Sequence, residues 1–170
     1  MQHHESRQTS PAPIEPTGFF TGIQFRPIIA GVVLDTIVTI VIVTAYYYGV
    51  VAKGMPNEGE AAEEAFAQYW NSVDGLMVSL VLGSLGTMIG GFYAAYKAGA
   101  LEMKHGALVG IGSILLGLVL QAGRSERQAP EWFLALSLVA AIPAGALGGL
   151  FAEMFRGAFG RPARTQPGRG

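Results

Sequence analysis

Apolar residues in this chain gather into four long blocks, and the segments between and beyond them hold nearly all of the charge. The blocks run from about Pro27 to Val50, Val73 to Tyr96, Gly106 to Leu120 and Trp132 to Met154. Such runs are helical spans, because a bilayer forces every backbone N–H and C=O to bond within its own segment. A hydrocarbon core of about 30 Å needs roughly 20 residues. Three blocks meet that length; the third does not, even when extended to Gln121 and Ala122 as a span over 106–122, and it predicts local thinning or an upright helix. The fold class that follows is all-α, an integral membrane four-helix bundle with spans over 27–50, 73–96, 106–122 and 132–154. The first block is no cleaved signal peptide: it follows a long polar leader and ends in Tyr46, Tyr47 and Tyr48 instead of a small-residue cleavage site.

Outside the transmembrane domain of residues 27–156, the leader (1–26) carries Pro11, Pro13 and Pro16 among polar residues, and the basic tail (157–170) is rich in Gly, Pro and Arg. Both read as disordered. Phe19, Phe20 and Ile23 precede Arg26 at helical spacing, which suits a short interfacial helix or an extended greasy linker. Between the first two spans, Glu60 to Tyr69 is built of good helix formers behind Gly59, so one or two exposed helical turns are expected there.

Composition sharpens this picture. Only 14% of residues are charged and mean hydropathy is +0.39, against about 25% charged in an ordinary soluble domain. Lysine and arginine are retained on the cytoplasmic side of short loops. With the N-terminus inside, Arg7, Arg26, Lys97, Lys104, Arg156, Arg161, Arg164 and Arg169 lie inside, and only Lys53, Arg124 and Arg127 outside. Both termini are therefore expected in the cytoplasm, and the compartment to be the bacterial inner membrane. Tyr46, Tyr47, Tyr48, Tyr69, Trp70 and Trp132 then form an outer aromatic belt. The absence of cysteine removes disulfides, thiolate metal sites and cysteine nucleophiles together, and His3 and His4 read as part of a solvated tail.

The 24 glycines call for a packing explanation. Membrane helices associate through small residues that let backbones approach. The second span aligns Gly83, Gly86, Gly90 and Ala94, with a G-x-x-x-G at Gly86 and Gly90. The third carries Gly106 and Gly110 before Ser113 and Gly117, and the fourth has Ala141, Gly145 and Gly149, with Pro143 able to kink it. Spacing alone leaves open whether these stripes meet within one chain, in a homo-oligomer or against another subunit.

Asp35 is the ionisable residue set well inside a span, roughly 12 Å along the first helix. A carboxylate at that depth costs several kcal/mol unless paired, hydrated or protonated. Thr36 and Thr39 lie beside it, Thr39 one turn on and on the same face. One expectation is a structural pair with Lys97, reaching back by snorkelling. The alternatives are an ion or proton pathway, or an interface with another subunit. Asp74 is expected to cap the second span, Glu153 to pair with Arg156 on the helix surface, and His105 to contact lipid headgroups, with haem or chlorophyll ligation as the lesser reading. No P-loop, H-E-x-x-H, G-x-S-x-G or Rossmann fingerprint is present, so no catalytic residue, metal site or cofactor is expected.

Gly90-Gly91-Phe92-Tyr93-Ala94-Ala95-Tyr96-Lys97-Ala98-Gly99, followed by His105-Gly106-Ala107-Leu108-Val109-Gly110, resembles a segment of the uncharacterised small four-span membrane proteins of bacteria and archaea. That family carries GG-x-x-A-x-x-x-A-G and then H-G-A-L-x-G. The resemblance implies the four-span fold and a tight inner hairpin shaped by the glycine pair and the His-Gly start of the third helix. It carries over no activity and does not reach Asp35 or the tails.

Stripes of small residues set against so little buried chemistry favour a non-enzymatic protein acting by helix packing. It would be an accessory or scaffold subunit of a membrane assembly, or a homo-oligomer, with the bilayer and other membrane subunits as partners and no nucleic acid. The alternative is a small proton- or cation-coupled transporter or channel using Asp35.

Overall fold

The computed structural model describes residues 21–56, 58–122 and 130–159. Within them the chain is all-α: α1 (Phe25–Tyr46), continued as a π-helical segment through Tyr47–Val51, α2 (Glu60–Asn71), α3 (Val73–Ala98), α4 (Glu102–Ala122) and α5 (Glu131–Phe159). Apart from α2, each is long and apolar enough to cross a membrane. The leader before Thr21, with Phe19 and Phe20, and the tail after Phe159 lie outside the described residues, as do Arg124 and Arg127. Thr21 and Gly22 form a turn and helix starts only at Phe25, so Ile23 belongs to no interfacial helix.

The third span is not short. Expected from Gly106, α4 starts at Glu102 and is 21 residues long, which at 1.5 Å per residue covers about 30 Å. The polar stretch Glu102-Met103-Lys104 is helical because its charge is answered there. Arg156 of α5 donates from Nη1 to Glu102 Oε1 at 2.6 Å. Arg156 also donates from Nη2 to the Tyr96 and Ala95 carbonyls at 2.7 and 3.3 Å and lies over the Tyr96 ring. One guanidinium thus satisfies the last carbonyls of α3 and ties together the ends of α3, α4 and α5. The expected Glu153–Arg156 surface pair is corrected by this geometry, since the fork of donors is already engaged across the bundle. Arg156→Ala should cost about 1–3 kcal/mol, read as a lower melting midpoint in detergent. Arg156→Lys should recover little of it, because an ammonium cannot serve Glu102 and two carbonyls in one plane.

Residues 99–101 turn α3 into α4. Gly99 sits at φ 72° and donates its N–H to the Ala95 carbonyl, the left-handed C-terminal cap that glycine adopts without strain. At the other end, α2 forms as a separate three-turn helix and breaks at Ser72, whose hydroxyl accepts from Gly75 N–H at 3.1 Å. Ser72, not Asp74, is therefore the cap of α3; Asp74 lies in its first turn, where its charge suits the helix dipole. Tyr47, which opens the π-helical segment after α1, packs against Phe66, Tyr69 and Trp70 of α2. Burial, and the Tyr46 hydroxyl beside it, push the Tyr69 phenol up to about 12.

α3 and α4 each pack against both α1 and α5, while the α1 and α5 backbones stay apart. The contacts are made backbone to backbone at glycines. At Gly31 of α1 an added Cβ would meet the Gly90 carbonyl and Ala94 within 3 Å. At Gly91 and Gly148 it would meet Gly145 and Met88 backbone across the α3–α5 contact. Gly106, Gly110, Gly145 and Gly149 do the same between α4 and α5. Ile28, Ala94 and Val109 form the small core beside the α3–α4 turn. The outward faces carry exposed apolar side chains such as Ile29, Val33, Ile37 and Val41 on α1, a surface that belongs in lipid.

Candidate functional site

Asp35 lies ten residues beyond the start of α1, about 15 Å along the helix, and only 5% of it is exposed. Hydroxyls from three helices converge on its carboxylate. Thr39 Oγ1, one turn on in α1, donates to Oδ1 at 3.1 Å. Thr87 Oγ1 of α3 donates to Oδ2 at 3.1 Å, sharing its proton with the Gly83 carbonyl, and Ser113 Oγ of α4 donates to Oδ2. The glycine motif of α3 makes room for this group. A Cβ at Gly86 would collide with Thr39 Oγ1 and Asp35 Oδ1, and one at Gly90 with the Gly31 carbonyl and Asp35 Cβ. The small residues that bring α1 and α3 together are thus the seat of the carboxylate.

The expected pair with Lys97 does not form. Lys97 is exposed and lies over the Tyr93 ring, 5.9 Å from its centroid. The reason is register: Thr87 is the α3 residue level with Asp35, and Lys97 is ten residues farther, about 15 Å along the axis.

Asp35 borders a cavity of about 360 Å³ in the half of the bundle nearer α2. All four spans line it, from Thr36 and Thr39 of α1 to Ser79 and Ser84 of α3, Ser113 and Gly117 of α4, and Phe133 and Ser137 of α5. Among the described residues, no lysine, arginine or histidine lines it. Gly83 and Gly117, expected in packing stripes, have no atom within 4 Å of a built Cβ. They line this cavity, and their Cβ side faces open space. Toward the α3–α4 turn, the Gly31–Gly90 crossing and Val109 close the bundle beneath the carboxylate.

His105 has a different place from the one expected. It is 0% exposed. Its Nε2 accepts the Gln24 backbone N–H at 3.0 Å, and Nδ1–H donates to the Leu101 carbonyl at 3.1 Å. That arrangement engages both ring nitrogens and leaves neither open to a headgroup or a metal. The Gln24 side chain adds a bond to the Ala98 carbonyl at 2.9 Å, so the start of α1 is latched to the α3–α4 turn. His105→Phe keeps the bulk but strands the Gln24 N–H, and should destabilise by about 1–3 kcal/mol in a detergent melt.

No family model, curated protein or solved structure matches the chain. What the protein does is therefore argued from the site alone.

Thr87 and the role of Ser113 were the parts missed in sequence. A signal exists: Ser79, Gly83 and Thr87 recur at four-residue spacing, which puts small and hydroxyl side chains on one face of α3, and Ser113 and Ser137 interrupt two other apolar spans. Chemically, the site is a lone carboxylate with hydroxyl donors already aimed at it and room beside it for a ligand. Among the described residues it has no nucleophile–base pair and no second acid for proton shuffling.

Proposed function

We propose that this multi-pass membrane protein is a small, non-enzymatic, proton- or cation-coupled transporter or channel in which Asp35 binds the proton or cation. The observation that supports it is the buried carboxylate held by Thr39, Thr87 and Ser113 beside a cavity with no basic side chain among the described residues. A carboxylate at membrane depth is stable only with compensation. Here no described residue of the cavity wall supplies the balancing charge, so a proton or a cation supplies it. The cation and the proton then compete for the same oxygens, and cation binding weakens as pH falls.

Scaffolding by helix packing loses its motive in the same geometry. The glycines expected to seek partners either meet other helices of this chain or line the cavity. The basic residues favour both termini in the cytoplasm of a bacterial cell, which would put the cavity on the outer side and the closed Gly31–Gly90 crossing on the inner side. Transport to the inside then requires α1 to loosen from α3 and α4, against the Gln24–His105 latch.

The test is reconstitution of the purified chain in vesicles with a sodium or proton gradient. Flux above that of protein-free vesicles, and inhibited by the competing cation, supports the reading. Vesicles that stay tight to both ions while the protein is folded and inserted count against it.

A further inference from the structure

We propose that the Asp35 cavity binds a small organic monocation, a primary ammonium with an apolar body; this rests on Asp35 being the cation-binding group. The sign of the ligand follows from a single carboxylate and no basic residue among the described lining residues. Its size follows from the volume. About 360 Å³ is the lower end of the range of small-molecule sites, and far more than a bare inorganic ion fills. Its apolar character follows from the half-buried walls beyond the hydroxyls: Leu80, Leu116, Phe133 and Leu134. An inorganic ion would make no use of them.

The hydrogen-bond arithmetic fits an N–H donor. A carboxylate offers about four acceptor positions. Oδ2 takes Thr87 and Ser113, while Oδ1 takes Thr39 alone. That leaves Oδ1 a position for one ammonium N–H, and the Ser and Thr oxygens keep lone pairs for the other two. A transition metal is a poorer fit, since no group of three or more His, Cys, Asp or Glu side chains comes together among the described residues.

Gly83 provides a variant that fills the cavity and leaves the carboxylate in place. With nothing within 4 Å of its Cβ position, Gly83→Leu occupies the space meant for the apolar body without forcing helices apart. The experiment is calorimetric titration of the full chain in nanodiscs with benzylammonium, benzyl alcohol and sodium, on wild type, Asp35→Asn and Gly83→Leu, each checked for an unchanged melting midpoint. Wild type should bind benzylammonium at least about tenfold more tightly than the neutral alcohol, and both variants should lose about tenfold or more. Unchanged binding by Gly83→Leu, or equal affinity for the alcohol, overturns the proposal. Wild type that ignores benzylammonium but binds sodium through Asp35 overturns the organic ligand and leaves the cation site standing. No Asp35-dependent binding of either sinks both.

Discussion

Gly145→Val will not form the native bundle. A Cβ at Gly145 collides with the Gly106 carbonyl and meets Gly110 N at 3.0 Å, and the Gly145 carbonyl in turn blocks a Cβ at Gly91. Three helices, α3, α4 and α5, therefore touch at this residue through backbone alone. Backbone cannot swing aside as a side chain tip can, so a branched side chain must move whole helices. Lipid offers no hydrophobic drive to hold them together once separated. We expect a loss of more than about 3 kcal/mol, the upper end of overpacking costs, seen as loss of the cooperative unfolding transition in detergent. Gly117→Val, with open space around it, is the control and should melt as wild type. A Gly145→Val protein with a normal transition would mean that α4 and α5 do not cross where the structure places them.

Asp35→Asn is expected to preserve the fold and abolish coupled transport. The amide is nearly isosteric, and the hydroxyls of Thr39, Thr87 and Ser113 can turn to accept from it as well as donate, so stability should change by no more than about 1 kcal/mol. The charge is lost. Hydrogen bonds to a charged group contribute about 1.5–3 kcal/mol, so cation affinity should fall about tenfold to a hundredfold and flux to the level of empty vesicles. Asp35→Ala should be worse for folding, because it leaves buried hydroxyls without a partner, at about 1–3 kcal/mol. Melting curves and vesicle flux on the same preparations separate the two effects. Full flux in Asp35→Asn would remove Asp35 from the pathway.

The four spanning helices were legible because hydrocarbon thickness acts directly on composition. Blocks of about 20 apolar residues leave no other fold. The start of α4 was not, because Glu102 and Lys104 look like loop until Arg156, 54 residues away, is brought beside Glu102. Asp35 stood out as a charge in an apolar span, yet its partners did not. Thr87 and Ser113 are 52 and 78 residues distant, and a hydroxyl in a membrane helix is as often bonded to its own backbone, as Thr36 is to Val32. Lys97 looked the better partner because Coulomb complementarity can be read from a sequence, whereas helix register cannot. His105 resisted for a related reason: a histidine at a span end reads as interfacial, and only the folded turn shows Gln24 and Leu101 occupying both ring nitrogens. The glycine stripes were visible, but which glycines pack and which line a cavity depends on where α3 and α4 diverge.

The most direct test of Asp35 as the cation-binding group is proton release on cation binding, measured in a weakly buffered suspension of purified protein stepped down in pH until cation binding weakens. Wild type should release protons on addition of benzylammonium or sodium, in proportion to the cation bound, and Asp35→Asn should release none. Cation binding with no proton release from wild type, or with equal release from Asp35→Asn, would contradict the account.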